Sequence, residues 1–248
     1  FPAWEWPVEY FESSNFEKIQ PVLQRLGIVA LHAEQRSILG YLAEGNSVLA
    51  LLPTGYGKSA CYQIPALAWG WRVIVVSPLL ALMEDQRARA SSAGLRALAI
   101  HSLNSATDRK NSWRDLVSGN WDILFISPER FQIWFQNGQW QRLRALVSLL
   151  VIDEVHCFVD WSNFRPAFLE LDACIANPIN SSLPILALSA SLERSALSLL
   201  MQRWGRSFLG VRSQIGRDNI YIGVQALELP SHRILALAAQ LRDLETPN

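Results

Sequence analysis

The chain has 248 residues, of which 50% are hydrophobic and 18% charged, enough for one large domain with a substantial core. Acidic and basic residues balance at 22 each, so no molecule-wide field draws a polyanion, and any nucleic-acid contact must come from a local surface. No apolar run approaches the roughly 18 residues that span a bilayer, which excludes a membrane-spanning helix and makes a membrane an unexpected partner.

Residues 1–17 carry four Glu, no basic residue and several aromatics, Trp4 and Trp6 among them. Exposed Trp is unfavourable, so this segment is expected to pack on the domain surface or on a partner. The opening FPAWEWPVEYFE lacks the basic flank and apolar stretch of a signal peptide, and it begins without Met, so the chain is expected to be part of a longer protein. From about residue 18, apolar runs alternate with amphipathic stretches. Strands are predicted at 47–52, 72–77, 96–100, 122–126, 148–152 and 184–189; their continuous apolarity suits strands covered on both faces. Helices are predicted at 58–68, 79–93, 106–118, 164–175 and 192–203. This rhythm implies a mostly parallel α/β sheet with helices on both faces, its ligands beyond the carboxyl ends of the strands. A weaker strand at 219–224 and an amphipathic helix at 231–244 follow. The three cysteines, Cys61, Cys157 and Cys174, lie far apart without metal-ligand spacing, as in a reduced cytoplasmic protein.

The first predicted strand runs into Pro53-Thr54-Gly55-Tyr56-Gly57-Lys58-Ser59 and then a helix opening at Ala60. Gly55 and Gly57 permit the backbone turns that aim successive N–H groups at phosphate oxygens, and the helix N-terminus adds its positive dipole end. Lys58 offers a mobile charge for β and γ phosphates, and the Ser59 hydroxyl a ligand for Mg²⁺. Leu52 stands where the strict GxxxxGK[ST] pattern has its first Gly. About 95 residues on, the strand at 148–152 ends in Asp153-Glu154-Val155-His156. Two adjacent carboxylates at a strand's carboxyl end suit a metal holder, Asp153, and a water-orienting base, Glu154. Both acids could instead merely cap the next helix.

The segment Val151–Cys157 resembles motif II of RecQ-type superfamily 2 DNA helicases, with Val155 for the usual Ala, and LLPTGYGKSACYQIPAL resembles their motif I. Residues 74–86, Ser127-Pro128-Glu129-Arg130, Leu188-Ser189-Ala190-Ser191 and Gly216–Ile220 resemble further motifs of that family, in order, across roughly residues 20–245. The resemblance implies the first RecA-like (P-loop NTPase) lobe of an ATP-dependent DNA helicase, residues 18–228, with 229–248 a linker helix or the start of a missing second lobe. ATP and Mg²⁺ are the implied cofactors and single-stranded or junction DNA the implied partner, which allows a nucleoid or nuclear location. Catalytic residues would be Lys58, Asp153 and Glu154; Gln35 would read adenine beside Thr54, Gly55, Tyr56, Gly57, Lys58, Ser59 and Ala60; Ser59 and Asp153 would hold the metal. Ser77 and Arg130 would meet the DNA backbone. In a loop one residue shorter than the family's and lacking its His, Trp161 and Phe164 would stack on unpaired bases and Arg165 would reach phosphate. His156, Ser189 and Ser191 would couple nucleotide state to DNA. Leu31-His32 departs from the family's Phe-Arg. An ATP-switch scaffold with this fold and an RNA-acting helicase remain open as alternatives.

Overall fold

The computed structural model describes residues 13–160, 166–177 and 180–213. The described residues, all of which lie at or before Ser213, belong to one compact unit. The expected strand at 219–224, the helix at 231–244, the Gly216–Ile220 motif and most of the 1–17 segment lie outside the described residues.

The seven strands are β1 Val48–Leu51, β2 Val73–Val76, β3 Ala97–Ile100, β4 Ile123–Ile126, β5 Leu149–Ile152, β6 Ile185–Ser189 and β7 Leu209–Arg212. They form one sheet in the order β3-β4-β2-β5-β6-β1-β7, and every pairing is parallel. The helices are α1 Ser13–Arg25, α2 Ala33–Ala43, α3 Ala60–Trp69, α4 Leu80–Ser92, α5 Ala106–Val117, α6 Pro128–Gln136, α7 Gln139–Arg144, α8 His156–Asp160, α9 Ala167–Ala176 and α10 Arg194–Trp204.

Alternation along the strands explains why the runs are apolar throughout. Ile74, Val76, Leu124, Ile126, Leu150 and Ile152 face one layer with Phe131, Trp140, Phe168 and Leu200 from α6, α7, α9 and α10. Val73, Val75, Ile123, Phe125, Leu149 and Val151 face the other, against α2, α3 and α4 through Ile38, Tyr62 and Met83. Strands β2, β4, β5 and β6 are therefore buried on both faces, as a parallel sheet between helical layers requires.

All six strands expected within the described residues are present, each within a residue or two of its expected bounds. Elements that the apolar pattern did not disclose have identifiable reasons. Helix α6 starts on a Ser127 cap with Pro128 in its first turn, a start set by backbone chemistry rather than periodicity. Strand β7 holds Gly210 and buries only Val211, so it carries almost no apolar signal. Among the described residues the first helix, α1, begins at Ser13.

Candidate functional site

Strand order decides which loops meet. β5, β6 and β1 are neighbours, so their carboxyl ends, at Ile152, Ser189 and Leu51, lie within two strand spacings, about 10 Å. Three sequence motifs separated by up to 138 residues thereby share one rim.

The loop after β1 is tied to that rim by the Leu52 N–H, which donates to the Ser189 carbonyl at 2.9 Å. Gly55 (φ +82) and Gly57 (φ +74) occupy the left-handed region, where a side chain is disfavoured. Thr54, Gly55 and Gly57 are exposed, and Ser59 caps α3 while its hydroxyl makes no capping bond. The loop thus presents open backbone and a free-standing hydroxyl ahead of the buried Ala60 at the helix N-terminus, an anion-receiving arrangement.

Lys58 Nζ lies 3.3 Å from Glu154 Oε1, the two side chains 15% and 18% exposed. Glu154 has φ +50, the sole positive φ outside glycine among the described residues. A left-handed non-glycine costs on the order of 1–2 kcal/mol, and flanking backbone bonds hold it there: Asp153 N–H to the Val76 carbonyl and Val155 N–H to the Leu188 carbonyl, both 2.9 Å. Asp153 is 3% exposed; it accepts from Gln86 Nε2 at 3.3 Å and the Glu154 N–H at 3.1 Å. Burial first, and then the neighbouring Glu154 charge, raise its carboxyl above the ordinary 3.8. Gln86 in turn accepts from the Tyr62 hydroxyl at 3.0 Å. Neither Gln86 nor Tyr62 was singled out from the sequence, although both fall inside the quoted motif segments.

The residues expected to couple nucleotide state to DNA also converge. Ser189 Oγ donates to the Ser191 carbonyl at 2.7 Å and accepts from the Ser191 N–H at 3.3 Å. With its hydroxyl hydrogen committed there, Ser189 must accept from His156 Nδ1, 3.0 Å away, which assigns the Nδ1–H tautomer. That nitrogen also lies 3.3 Å from Glu154 Oε2. Lys58, Glu154, His156, Ser189 and Ser191 form one polar chain.

Gln35 is buried at the start of α2. Its Oε1 accepts from the His32 N–H at 2.9 Å, and its Nε2 donates to the Tyr56 and Gly57 carbonyls at 3.1 Å each. Here the amide braces the loop through its donor, while its acceptor caps the start of α2. The Tyr56 hydroxyl donates to Glu34 at 2.6 Å and its ring stacks on His32 at 4.2 Å. A cleft of about 670 Å³ opens beside this brace, lined by His32, Gln35, Gly55, Tyr56, Gly57 and Ser59 with residues of α4 opposite, a volume suited to a nucleotide-sized ligand.

Of the expected DNA contacts, Arg130 stands half-buried at the start of α6 on the same rim. Ser77 is fully buried and its hydroxyl has no partner among the described residues; in this conformation it presents nothing to a phosphate outside. Trp161, Phe164 and Arg165 lie outside the described residues. Among the described residues no helix is long and apolar enough to cross a membrane, and the three cysteines are buried and outside any disulfide.

The profile of the DEAD/DEAH box helicase family matches residues 32–199. A probable ATP-dependent DNA helicase RecS from Bacillus subtilis is 33% identical over 236 residues, 92% of this chain and 45% of that protein. The ATP-dependent DNA helicase RecQ of Haemophilus influenzae is 31% identical over 169 residues, 67% of this chain and 26% of its own length. The chain therefore spans less than half of each. Among solved structures, the DUF1998 helicase MrfA bound to DNA aligns over 83% of this chain and 30% of its own, with a TM-score of 0.65 at 20% identity. A hypothetical ATP-dependent RNA helicase from Sulfolobus tokodaii aligns over 79% and 57%, with a TM-score of 0.64 at 18% identity. These two likenesses concern the fold, and the fold is the RecA-like one expected from the sequence.

Proposed function

Since the chain belongs to the DEAD/DEAH box helicase family, we propose that it is the ATP-binding motor lobe of an ATP-dependent DNA helicase or translocase of the RecQ type. The observation that carries this reading is the 3.3 Å approach of Lys58 to Glu154, residues 96 positions apart, beside the buried Asp153 and the open glycine loop.

The residues fit a magnesium–triphosphate group. The loop's exposed backbone and the α3 N-terminus suit phosphate oxygens, and a buried carboxylate with a raised pKa, Asp153, gains from a nearby cation. Mg²⁺, when bound, neutralises charge on the β and γ phosphates. Without nucleotide, Lys58 rests on Glu154. When phosphates fill the loop, Lys58 turns to them, and Glu154, which lies 3.3 Å from His156 Nδ1, is released to orient the attacking water. The His156–Ser189–Ser191 chain passes this change to the next loop on the rim. Arg130 takes a phosphate of a DNA strand lying across the strand ends. A second RecA-like lobe supplying an arginine would raise the hydrolytic rate by about 10³–10⁵ in related systems, so these 248 residues bind nucleotide but hydrolyse it slowly.

The test is titration of the chain with a labelled DNA single strand at increasing salt. Log affinity should fall linearly with log salt concentration; no binding at low salt, or binding indifferent to salt, would remove the DNA-tracking role.

A further inference from the structure

At the far edge of the sheet from the phosphate loop, a second cleft of about 280 Å³ lies between α5, α6 and the carboxyl end of β3. Its lining includes Arg109, Lys110, Trp113, Arg130 and Trp134. The sheet order separates β3 from β1 by five strand steps, about 24 Å at ordinary spacing. A nucleotide held by the phosphate loop does not reach it.

The cleft has an unusual charge balance. Three cations from two helices converge on it, and no acidic residue lines it. Lys110 is one of three lysines in the whole chain. Among the described residues neither the Lys110 ammonium nor the Arg130 guanidinium forms an ion pair, while Arg109 is anchored by donating to the Asn104 carbonyl. Converging like charges repel one another, and an anion seated between them relieves that repulsion. Beside the cations stands an aromatic wall. Trp134 is buried and Trp113, half-buried, meets it edge-on with ring centroids 5.5 Å apart, which leaves part of the Trp113 indole facing the cleft. Cations next to an accessible indole suit one phosphate with its neighbouring base, since any base can stack on an aromatic face. The volume admits one such unit and little more.

We propose that this cleft is an anchoring site for one nucleotide unit of a DNA single strand, with Lys110 and Arg130 on the phosphate and Trp113 under the base. The inference rests on the DNA-tracking role and extends it: Arg130 is the shared residue, so a strand crossing the rim ends in this pocket at the β3 edge. Lys110 and Trp113 lengthen the footprint beyond the motif-bearing loops and fix one end of the strand against slippage.

The experiment compares the chain with Lys110→Ala, Lys110→Glu, Trp113→Leu and Trp113→Phe, using a labelled oligodeoxynucleotide across a salt series and a fluorescent ATP analogue as control. Lys110→Ala should weaken the oligonucleotide several-fold and lower the slope of log affinity against log salt by about 0.7, the value for one phosphate contact on a single strand. Lys110→Glu should weaken it further. Trp113→Phe, which keeps a stacking face, should bind better than Trp113→Leu, although both fill the gap beside Trp134. Affinity for the ATP analogue should not change in any variant. Parental affinity and slope in both Lys110 variants would overturn the pocket while leaving the DNA role standing. Failure of the parent chain to bind the strand would remove both. Displacement of the strand by inorganic phosphate at constant ionic strength would mark a free-anion site and overturn the strand assignment, as would a Lys110 effect confined to an RNA strand of the same sequence.

Discussion

Replacing Gly57 by Ala probes how the phosphate loop is held. At φ +74 an alanine costs about 1–2 kcal/mol in the left-handed region. The added Cβ would also stand 2.8 Å from Gln35 Nε2, the nitrogen that donates to both Tyr56 and Gly57 carbonyls. Displacing that buried amide forfeits two hydrogen bonds of about 0.5–1.5 kcal/mol each. Gly55 is the internal control: its φ is +82, but nothing lies within 4 Å of a Cβ there, so only the backbone cost applies. The smaller unfolded-state entropy of alanine favours both variants alike and cancels in the comparison. Gly57→Ala should therefore be less stable than Gly55→Ala by about 1–2 kcal/mol, a gap of about 5 °C in thermal midpoint for a domain of this size. In a Gln35→Ala background the gap should close. Thermal unfolding of the four single and double variants by circular dichroism measures it. Equal midpoints for the two glycine variants, or a gap that survives loss of Gln35, would refute the brace.

Two further outcomes follow from the buried groups. The folded pKa of Asp153 is raised above its unfolded value, so its contribution is fully present below about pH 3.8 and is lost as pH rises through the folded value. Stability of Asp153→Asn relative to the parent should thus increase with pH across that window, read from denaturant midpoints without Mg²⁺; a flat or falling difference contradicts the burial argument. Burial also pushes the thiols of Cys61 and Cys174 up to about 12, so neither should react with a thiol reagent at neutral pH until the chain unfolds. Rapid native labelling of either would show an open packing layer.

Much of this architecture was legible because its signals are local. Thr54–Ser59 announces itself through two glycines, a lysine and a hydroxyl between a strand and a helix, and Asp153-Glu154 through its place at a strand end. Their meeting needed the strand order, which places β6 between β5 and β1. Other features had no local signal. The left-handed Glu154 is imposed by bonds to the Val76 and Leu188 carbonyls, partners 78 and 34 residues away, and a glutamate itself gives no warning of positive φ. Gln86 sits in the charged run MEDQRAR and reads as a surface residue; only the packing of α4 brings it to Asp153. Ser77, polar and at a strand end, reads as exposed, yet its N–H extends the ladder to the Ile126 carbonyl and its side chain is enclosed. For Gln35, the sequence pointed to the nucleotide, and the structure shows its amide engaged with the loop beneath.

On the reading proposed above, Lys58 and the Asp153-Glu154 pair grip one magnesium–triphosphate. Calorimetric titration of a non-hydrolysable ATP analogue, with and without Mg²⁺, into the parent, Lys58→Ala and Asp153→Asn tests it directly. Mg²⁺-dependent binding is expected in the parent, with a loss of about tenfold or more in Lys58→Ala, whose circular dichroism spectrum stays native, as removal of a charge-assisted contact of about 1.5–3 kcal/mol requires. Asp153→Asn should lose the Mg²⁺ dependence. Equal affinity in parent and Lys58→Ala, or full Mg²⁺ dependence retained without the Asp153 carboxylate, would contradict it.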